Sequence, residues 1–187
     1  MKTKITYKDI MSFGPCYDPE ELGKIDKRKS LTIPEFITQY RDRVKNKEDI
    51  IWVVCRKEYM SKKDMRLFAV WCAREALKLV VPDPRSVKAC DVAERFANGE
   101  ATDKELAAAW YAAGAAAGDA RDAGNAAWDA ARAAWYAAYY AAGAAGRAAW
   151  YAARDAGAAG AAGAAGAAGA AGAAGAAQID QLITYFG

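Results

Sequence analysis

The sequence predicts an all-α chain, with an N-terminal helical domain followed by a long alanine-rich helix or helical hairpin. Three observations carry that expectation. Between Ala107 and Ala177, 41 of 71 residues are alanine, the residue with the highest helix propensity. In the first hundred residues the large apolar side chains recur at helical spacing. Start and stop signals bracket those stretches.

The segment Ile5–Phe13 reads as a short strand or a helical turn. Gly14-Pro15 and Asp18-Pro19 mark a loop, and the Lys24–Lys29 region is charged and expected to be exposed. Thr32 precedes Ile33-Pro34-Glu35, and proline suits the first helical turn. Phe36, Ile37, Tyr40 and Val44 follow at helical spacing, which predicts a helix over 33–45. The apolar run Ile50–Cys55 is too short for periodicity to decide; it is read as a helix continuing to Met60. Ser61 and Asp64 resemble a capping box. Met65, Phe68, Trp71/Cys72, Ala76 and Leu79 form one apolar stripe, which predicts a core helix over 62–80. The Val81-Pro-Asp-Pro84 segment breaks it. A helix over 84–98 is expected to bury Val87, Cys90/Asp91-Val92 and Phe96, with Gly99 as its C-cap. Thr102 and Glu105 form a further capping box, which opens the alanine-rich segment.

Within that segment the large side chains keep a common phase. At about 100° per residue, Trp110, Trp128, Trp135, Tyr139 and Trp150 fall between roughly 180° and 240°. Tyr111, Tyr136, Tyr140 and Tyr151 fall at roughly 280–340°, and Arg121, Arg132, Arg147 and Arg154 at about 220–300°. The opposite arc is almost wholly alanine. A loop normally scrambles phase, so the leading expectation is one uninterrupted helix. The rival is a hairpin turning near Gly118–Asn125 or Gly143–Gly146. Alanine on the opposite arc would let a neighbouring helix approach closely.

From Gly157 to Gly175 a strict Ala-Ala-Gly triplet runs, with seven glycines. A period of three drifts around a helix of 3.6 residues per turn and makes no face. Each glycine costs about 0.8–1 kcal/mol relative to alanine in a helix, so this stretch reads as a spacer. At its end Ile179, Leu182, Ile183 and Phe186 form an i, i+3, i+4, i+7 patch, read as an apolar anchor. The expected organisation is therefore an N-terminal helical domain (1–101), an alanine-rich helix with an aromatic/arginine face (102–156), an Ala-Ala-Gly low-complexity repeat (157–177) and a C-terminal anchor (178–187).

Composition narrows the chemistry. There is no histidine, so the commonest general base and metal ligand is absent. Cys16, Cys55, Cys72 and Cys90 are widely spaced, without a CxxC pair. They read as reduced structural thiols of a cytoplasmic protein. The N-terminus has no signal-peptide pattern and no apolar run reaches spanning length, so no membrane is expected. The first hundred residues carry 21 Lys/Arg against 16 Asp/Glu. That excess is weaker and less clustered than DNA or RNA binding usually requires. No Gly-x-Ser-x-Gly, Walker or paired dinucleotide motif occurs. The sequence thus predicts a protein that is not an enzyme and needs no cofactor or metal.

The candidate binding face comprises Trp110, Tyr111, Trp128, Arg132, Trp135, Tyr136, Tyr139, Tyr140, Arg147, Trp150, Tyr151 and Arg154. Trp, Tyr and Arg are the side chains enriched at interface hot spots. The same side chains also serve ordinary packing and i, i+3 or i, i+4 pairing such as Asp129 with Arg132.

The words Met65–Leu77, Pro82–Ser86 and Asp91–Asp103, with the opening Ile5–Asp18, are similar to an alanine-rich immunity-protein family of bacteria and their phages. The resemblance covers most of residues 5–106. It implies a binder that neutralises a toxin or a defence protein, and it carries no catalytic residues. The pure Ala-Ala-Gly run departs from that family's tail, which mixes Ala with Arg, Trp, Glu and Asp. A protein partner is therefore the first expectation. The second is a sponge for a signalling nucleotide, held in Trp/Tyr/Arg pockets between helices. The third is an oligomerising rod, a homo-oligomer joined through its alanine faces.

Overall fold

The computed structural model describes residues 1–15, 25–44, 47–120, 125–141, 151, 154–155, 158 and 168–186. Among them are eight helices and one two-stranded sheet, so the chain is mainly α-helical. Strand β1 (Lys4–Thr6) pairs antiparallel with β2 (Ser30–Thr32), Ile5 opposite Leu31. Each strand runs straight into a helix, β1 into α1 (Tyr7–Ser12) and β2 into α2 (Ile33–Tyr40). The junctions are built alike. Thr6 and Thr32 accept from the backbone N–H three residues on, and Asp9 and Glu35 accept from the threonine N–H in return. Strand and helix at Ile5–Phe13 are thus not alternatives: the capping box converts one into the other.

The remaining helices are α3 (Glu48–Val54), α4 (Lys62–Leu77), α5 (Pro84–Asn98), α6 (Asp103–Ala120), α7 (Asn125–Ala141) and α8 (Ala168–Ile183). Several ends differ from the sequence expectation. Helix α2 stops at Tyr40 and not at 45, because the Tyr40 carbonyl accepts from both Arg43 N–H (2.9 Å) and Val44 N–H (3.2 Å) in a tightening turn. Helix α3 stops at Val54 and not at Met60, because Cys55 takes ψ 53°, outside the helical region. Tyr59 and Met60 still reach the core, from a turn. The arginine of that turn, Arg56, lies over the Trp52 ring at 4.0 Å and the Phe13 ring at 5.0 Å.

Helix α4 ends at Leu77, so Leu79 falls past the helical register; it is 49% exposed, and Leu77 is buried in its place. Val87, expected inside, is exposed, and Asp91 points outward to pair with Arg74 at 2.9 Å. The buried face of α5 is made of Ser86, Ala89, Cys90, Val92, Ala93 and Ala97. The mostly small side chains there let α4, α6 and α7 approach α5 closely, and Val87 falls off that face by helical register. Gly99 closes α5 in the left-handed region at φ 79°, where a Cβ would be strained.

A single uninterrupted helix across the alanine-rich segment is overturned. Trp135 lies so near Gly114 that a Cβ there would stand 3.3 Å from the indole Nε1. In one straight helix those positions would be about 30 Å apart, at 1.5 Å per residue. Helices α6 and α7 instead lie side by side, and both pack on α5, with α4 against α7. Each turns alanine inward: Ala109, Ala113, Ala116 and Ala117 from α6, and Ala130, Ala133, Ala134 and Ala137 from α7. The common phase survives because both helices bury alanine and carry rings toward one shared groove.

One hydrophobic core runs from Ile5 to Leu182. Its large side chains come mostly from the first 106 residues. Helix α8 adds Ile179 and Leu182, both fully buried, and packs against α2, α3 and α4. Gly175 of α8 meets the Lys47 side chain so closely that a Cβ would stand 3.0 Å from its Cγ.

Candidate functional site

The inward alanines of α6 and α7 set the two helices close together and leave their larger side chains at the seam. There they line a groove of about 590 Å³. Trp110, Tyr111, Gly114 and Gly118 contribute from α6, and Arg132, Trp135 and Tyr136 from α7. The rings come in two tilted pairs. Trp110 and Tyr111 have centroids 4.2 Å apart, and Trp135 and Tyr136 4.7 Å apart, each at 39°. Trp110 and Trp135 are half-buried against the core, whereas Tyr111 is 68% exposed. Gly118 faces open space: a Cβ built there meets nothing within 4 Å among the described residues.

Beside the groove stands a stack of two rings. The Tyr136 and Tyr151 rings lie 4.8 Å apart at 18°. Arg132 caps the Tyr136 ring at 5.6 Å and Arg154 caps the Tyr151 ring at 5.0 Å. Cation–π contacts of this kind strengthen when shielded from water. Asp155, only 3% exposed, ties the two ends together. Its carboxylate takes Arg132 at 3.2 Å and Arg154 at 3.1 Å. Burial pushes the Asp155 carboxyl above the ordinary range, against the pull of both arginines. Asp129 is raised by burial as well, with Arg132 and Arg154 opposing. Two cations and two carboxylates therefore share one partly dry cluster.

Of the sequence-predicted face, Trp110, Tyr111, Arg132, Trp135 and Tyr136 meet at the groove, and Tyr151 and Arg154 stand in the stack beside it. Arg147 and Trp150 lie outside the described residues, as do the side chains of Trp128, Tyr139 and Tyr140, whose backbone belongs to α7. Asp155, Gly114 and Gly118 were missed by the sequence reading. The two glycines could have been found, since positions four apart share a helix face. Asp155 offered only its neighbour Arg154; its partnership with Arg132 spans 23 residues and has no local signal.

An apolar turn adjoins the groove. Arg85, in the first turn of α5, joins Asp83 and Asp119 at 2.7 Å each. Asp119 follows Gly118, so the turn before α5 is fixed to the groove's end. Leu79 and Val81 project from that turn, Val81 being 96% exposed.

The site holds little reactive chemistry. Burial raises all three described thiols: Cys90 to about 12, and Cys55 and Cys72 well above the usual thiol range. Such groups are poor thiolates. Among the described residues no cluster of His, Cys, Asp or Glu is arranged to hold a metal ion, and no helix is long and apolar enough to cross a membrane. No protein family, curated protein or solved structure matches the chain.

Proposed function

We propose that the protein is a non-catalytic binder that captures a protein partner in the groove between α6 and α7, in the manner of an immunity protein acting on a toxin or a defence protein. The observation that carries this reading is the convergence of Trp110, Tyr111 and Trp135 on one open groove, with Tyr111 standing 68% exposed at its edge. Exposed tyrosine and tryptophan beside arginine are typical of interface hot spots. The apolar turn at Leu79 and Val81 extends the surface beyond the groove, which favours a macromolecular partner over a small ligand. Among the described arginines of the face, Arg132 and Arg154 are both engaged by Asp155, which lowers what they offer a signalling nucleotide. The inward alanine faces of α6 and α7 are covered within the chain, which weakens the case for an oligomeric rod.

The test uses Ala115, exposed on the groove wall. A photo-reactive p-benzoylphenylalanine at this position is expected to cross-link one protein species in the host cell. Affinity for that purified partner should then fall at least about tenfold in Gly118→Leu, with no loss of thermal stability. A cyclic dinucleotide that raises the melting temperature saturably would replace this reading with the nucleotide sponge.

A further inference from the structure

We infer that Arg56, in the turn after α3, is a preset anchor for one carboxylate carried on a polypeptide. It belongs to a different part of the chain from the α6/α7 groove, for α3 packs with α2 and α8, and it needs no contribution from that groove.

An arginine side chain is flexible, and holding it still for a ligand costs conformational entropy. Here the fold itself holds it. The half-buried guanidinium lies 4.0 Å from the centroid of the Trp52 ring and 5.0 Å from that of Phe13. Those two rings stand at 80°, with centroids 6.3 Å apart, so they form a corner. Phe13 is braced edge-on by Tyr59 at 6.0 Å, and Tyr59 is buried in the core. Arg56 Nε donates to the Trp52 carbonyl at 3.0 Å and closes the end of α3. Two rings and one hydrogen bond thus fix the plane of the fork. Nε is used; the two terminal amino groups are not, and both reach the surface. A planar carboxylate takes both at once, end-on.

Charge points the same way. Arg41, Arg74, Arg85 and Arg95 each rest on a carboxylate of this chain. Arg56 pairs with no carboxylate among the described residues. Burial has the largest effect on its guanidinium and loosens its hold on the proton; Glu58, two residues on, opposes that without forming an ion pair. A cation that has given up part of its water without a counter-ion gains from an anion that restores the balance. What is missing is one negative charge beside two apolar rings. A carboxylate on a polypeptide supplies that. A phosphate dianion brings a second charge, which Glu58 repels.

The test follows two NMR signals of the full chain, Arg56 Nε–H and the Trp52 indole N–H, at constant ionic strength. The probes are N-acetyl-glutamate α-amide, which offers a side-chain carboxylate, and N-acetyl-alanine, which offers a chain terminus. The controls are N-acetyl-alaninamide, chloride and inorganic phosphate. A carboxylate probe is expected to move both signals saturably, at least about tenfold tighter than chloride or phosphate, with N-acetyl-alaninamide inert. The tighter of the two probes names the source of the carboxylate. Arg56→Lys keeps the charge and loses the fork. With its urea midpoint retained, it should weaken binding at least about tenfold at the Trp52 signal. If neither carboxylate binds, or chloride moves the signals of the original chain as strongly, the anchor is overturned whatever the variant does. Phosphate binding as tightly as the carboxylates overturns the choice of ligand. Unchanged binding in a folded Arg56→Lys overturns the role of the fork.

Discussion

Gly114 and Gly118 stand one turn apart on α6 and do different work. At Gly114 the missing Cβ makes room for the Trp135 indole; a methyl there would meet Nε1 at 3.3 Å and Cδ1 at 3.5 Å. At Gly118 a Cβ would meet nothing within 4 Å among the described residues. Replacing a mid-helix glycine by alanine gains about 0.8–1 kcal/mol where nothing is disturbed. Gly118→Ala should therefore raise the urea midpoint by that amount. Gly114→Ala should gain clearly less, because the indole must shift by a few tenths of an ångström, and its fluorescence should change. Equal gains at both positions would show that Trp135 does not lean on α6. A glycine retained at a helix cost with no internal contact is what a groove open to a partner requires. At this scale the sequence was partly legible. Trp110 with Tyr111, and Trp135 with Tyr136, are neighbours by sequence on their own helices, while the packing of α6 on α7 is what brings the two pairs to one groove. Asp155 was not legible, because its role depends on a tertiary approach that no spacing encodes.

Helix starts were the most legible elements, and capping chemistry explains why. At α6, Glu105 N–H donates to Thr102 Oγ1 at 3.2 Å, and Thr102 N–H donates to Glu105 at 2.8 Å. Both partners sit within four residues, so the signal is complete in the sequence. Helix ends were less legible: α2, α3 and α4 all stop short of the expected positions, through turns whose apolar residues are chosen by the core. The caps also set a pH dependence. The Thr102 backbone N–H, then its hydroxyl and Arg95, hold the Glu105 carboxyl below its ordinary 4.5; the Thr32 N–H and hydroxyl do the same for Glu35. A lowered carboxyl means the folded state binds fewer protons than the unfolded one. The stabilisation is present above pH 4.5 and fades as pH falls through the folded value. Glu105→Ala should thus lower the urea midpoint at neutral pH and lose that effect in acid. Thr102→Ala, which removes the side-chain acceptor for the Glu105 N–H, should cost about 1 kcal/mol and persist further into acid. Asp129 and Asp155, raised by burial, act with the opposite sign: their contribution favours folding below pH 3.8 and is lost as pH rises.

On the scale of the whole molecule, the question is how a chain whose second half is mostly alanine reaches enough buried area. Alanine contributes closeness and little transfer energy, so α6 and α7 depend on the larger side chains of α4 and α5. The core in turn draws on the far end of the chain. Ile179 and Leu182 of α8 are fully buried, Ile183, Tyr185 and Phe186 pack beside them, and the Tyr185 ring meets Phe68 edge-on at 6.3 Å. The sequence showed the apolar patch, because i, i+3, i+4, i+7 is local. It did not show the destination, because that requires α2, α3 and α4 to be assembled first. If α8 is integral, Leu182→Ala leaves a cavity among fully buried neighbours and should cost about 2–5 kcal/mol. Arg41→Ala removes only the exposed 2.8 Å pair with Asp180 and should cost about 0–1 kcal/mol. The two variants touch the same helix from its buried and its solvent side, so their ratio measures what holds it. A single urea transition, with a midpoint much lower in Leu182→Ala and nearly unchanged in Arg41→Ala, is expected for one cooperative core. A separate early transition in Leu182→Ala would mean that α8 unfolds on its own. An unchanged midpoint would show that the buried apolar side of α8 contributes nothing to the fold.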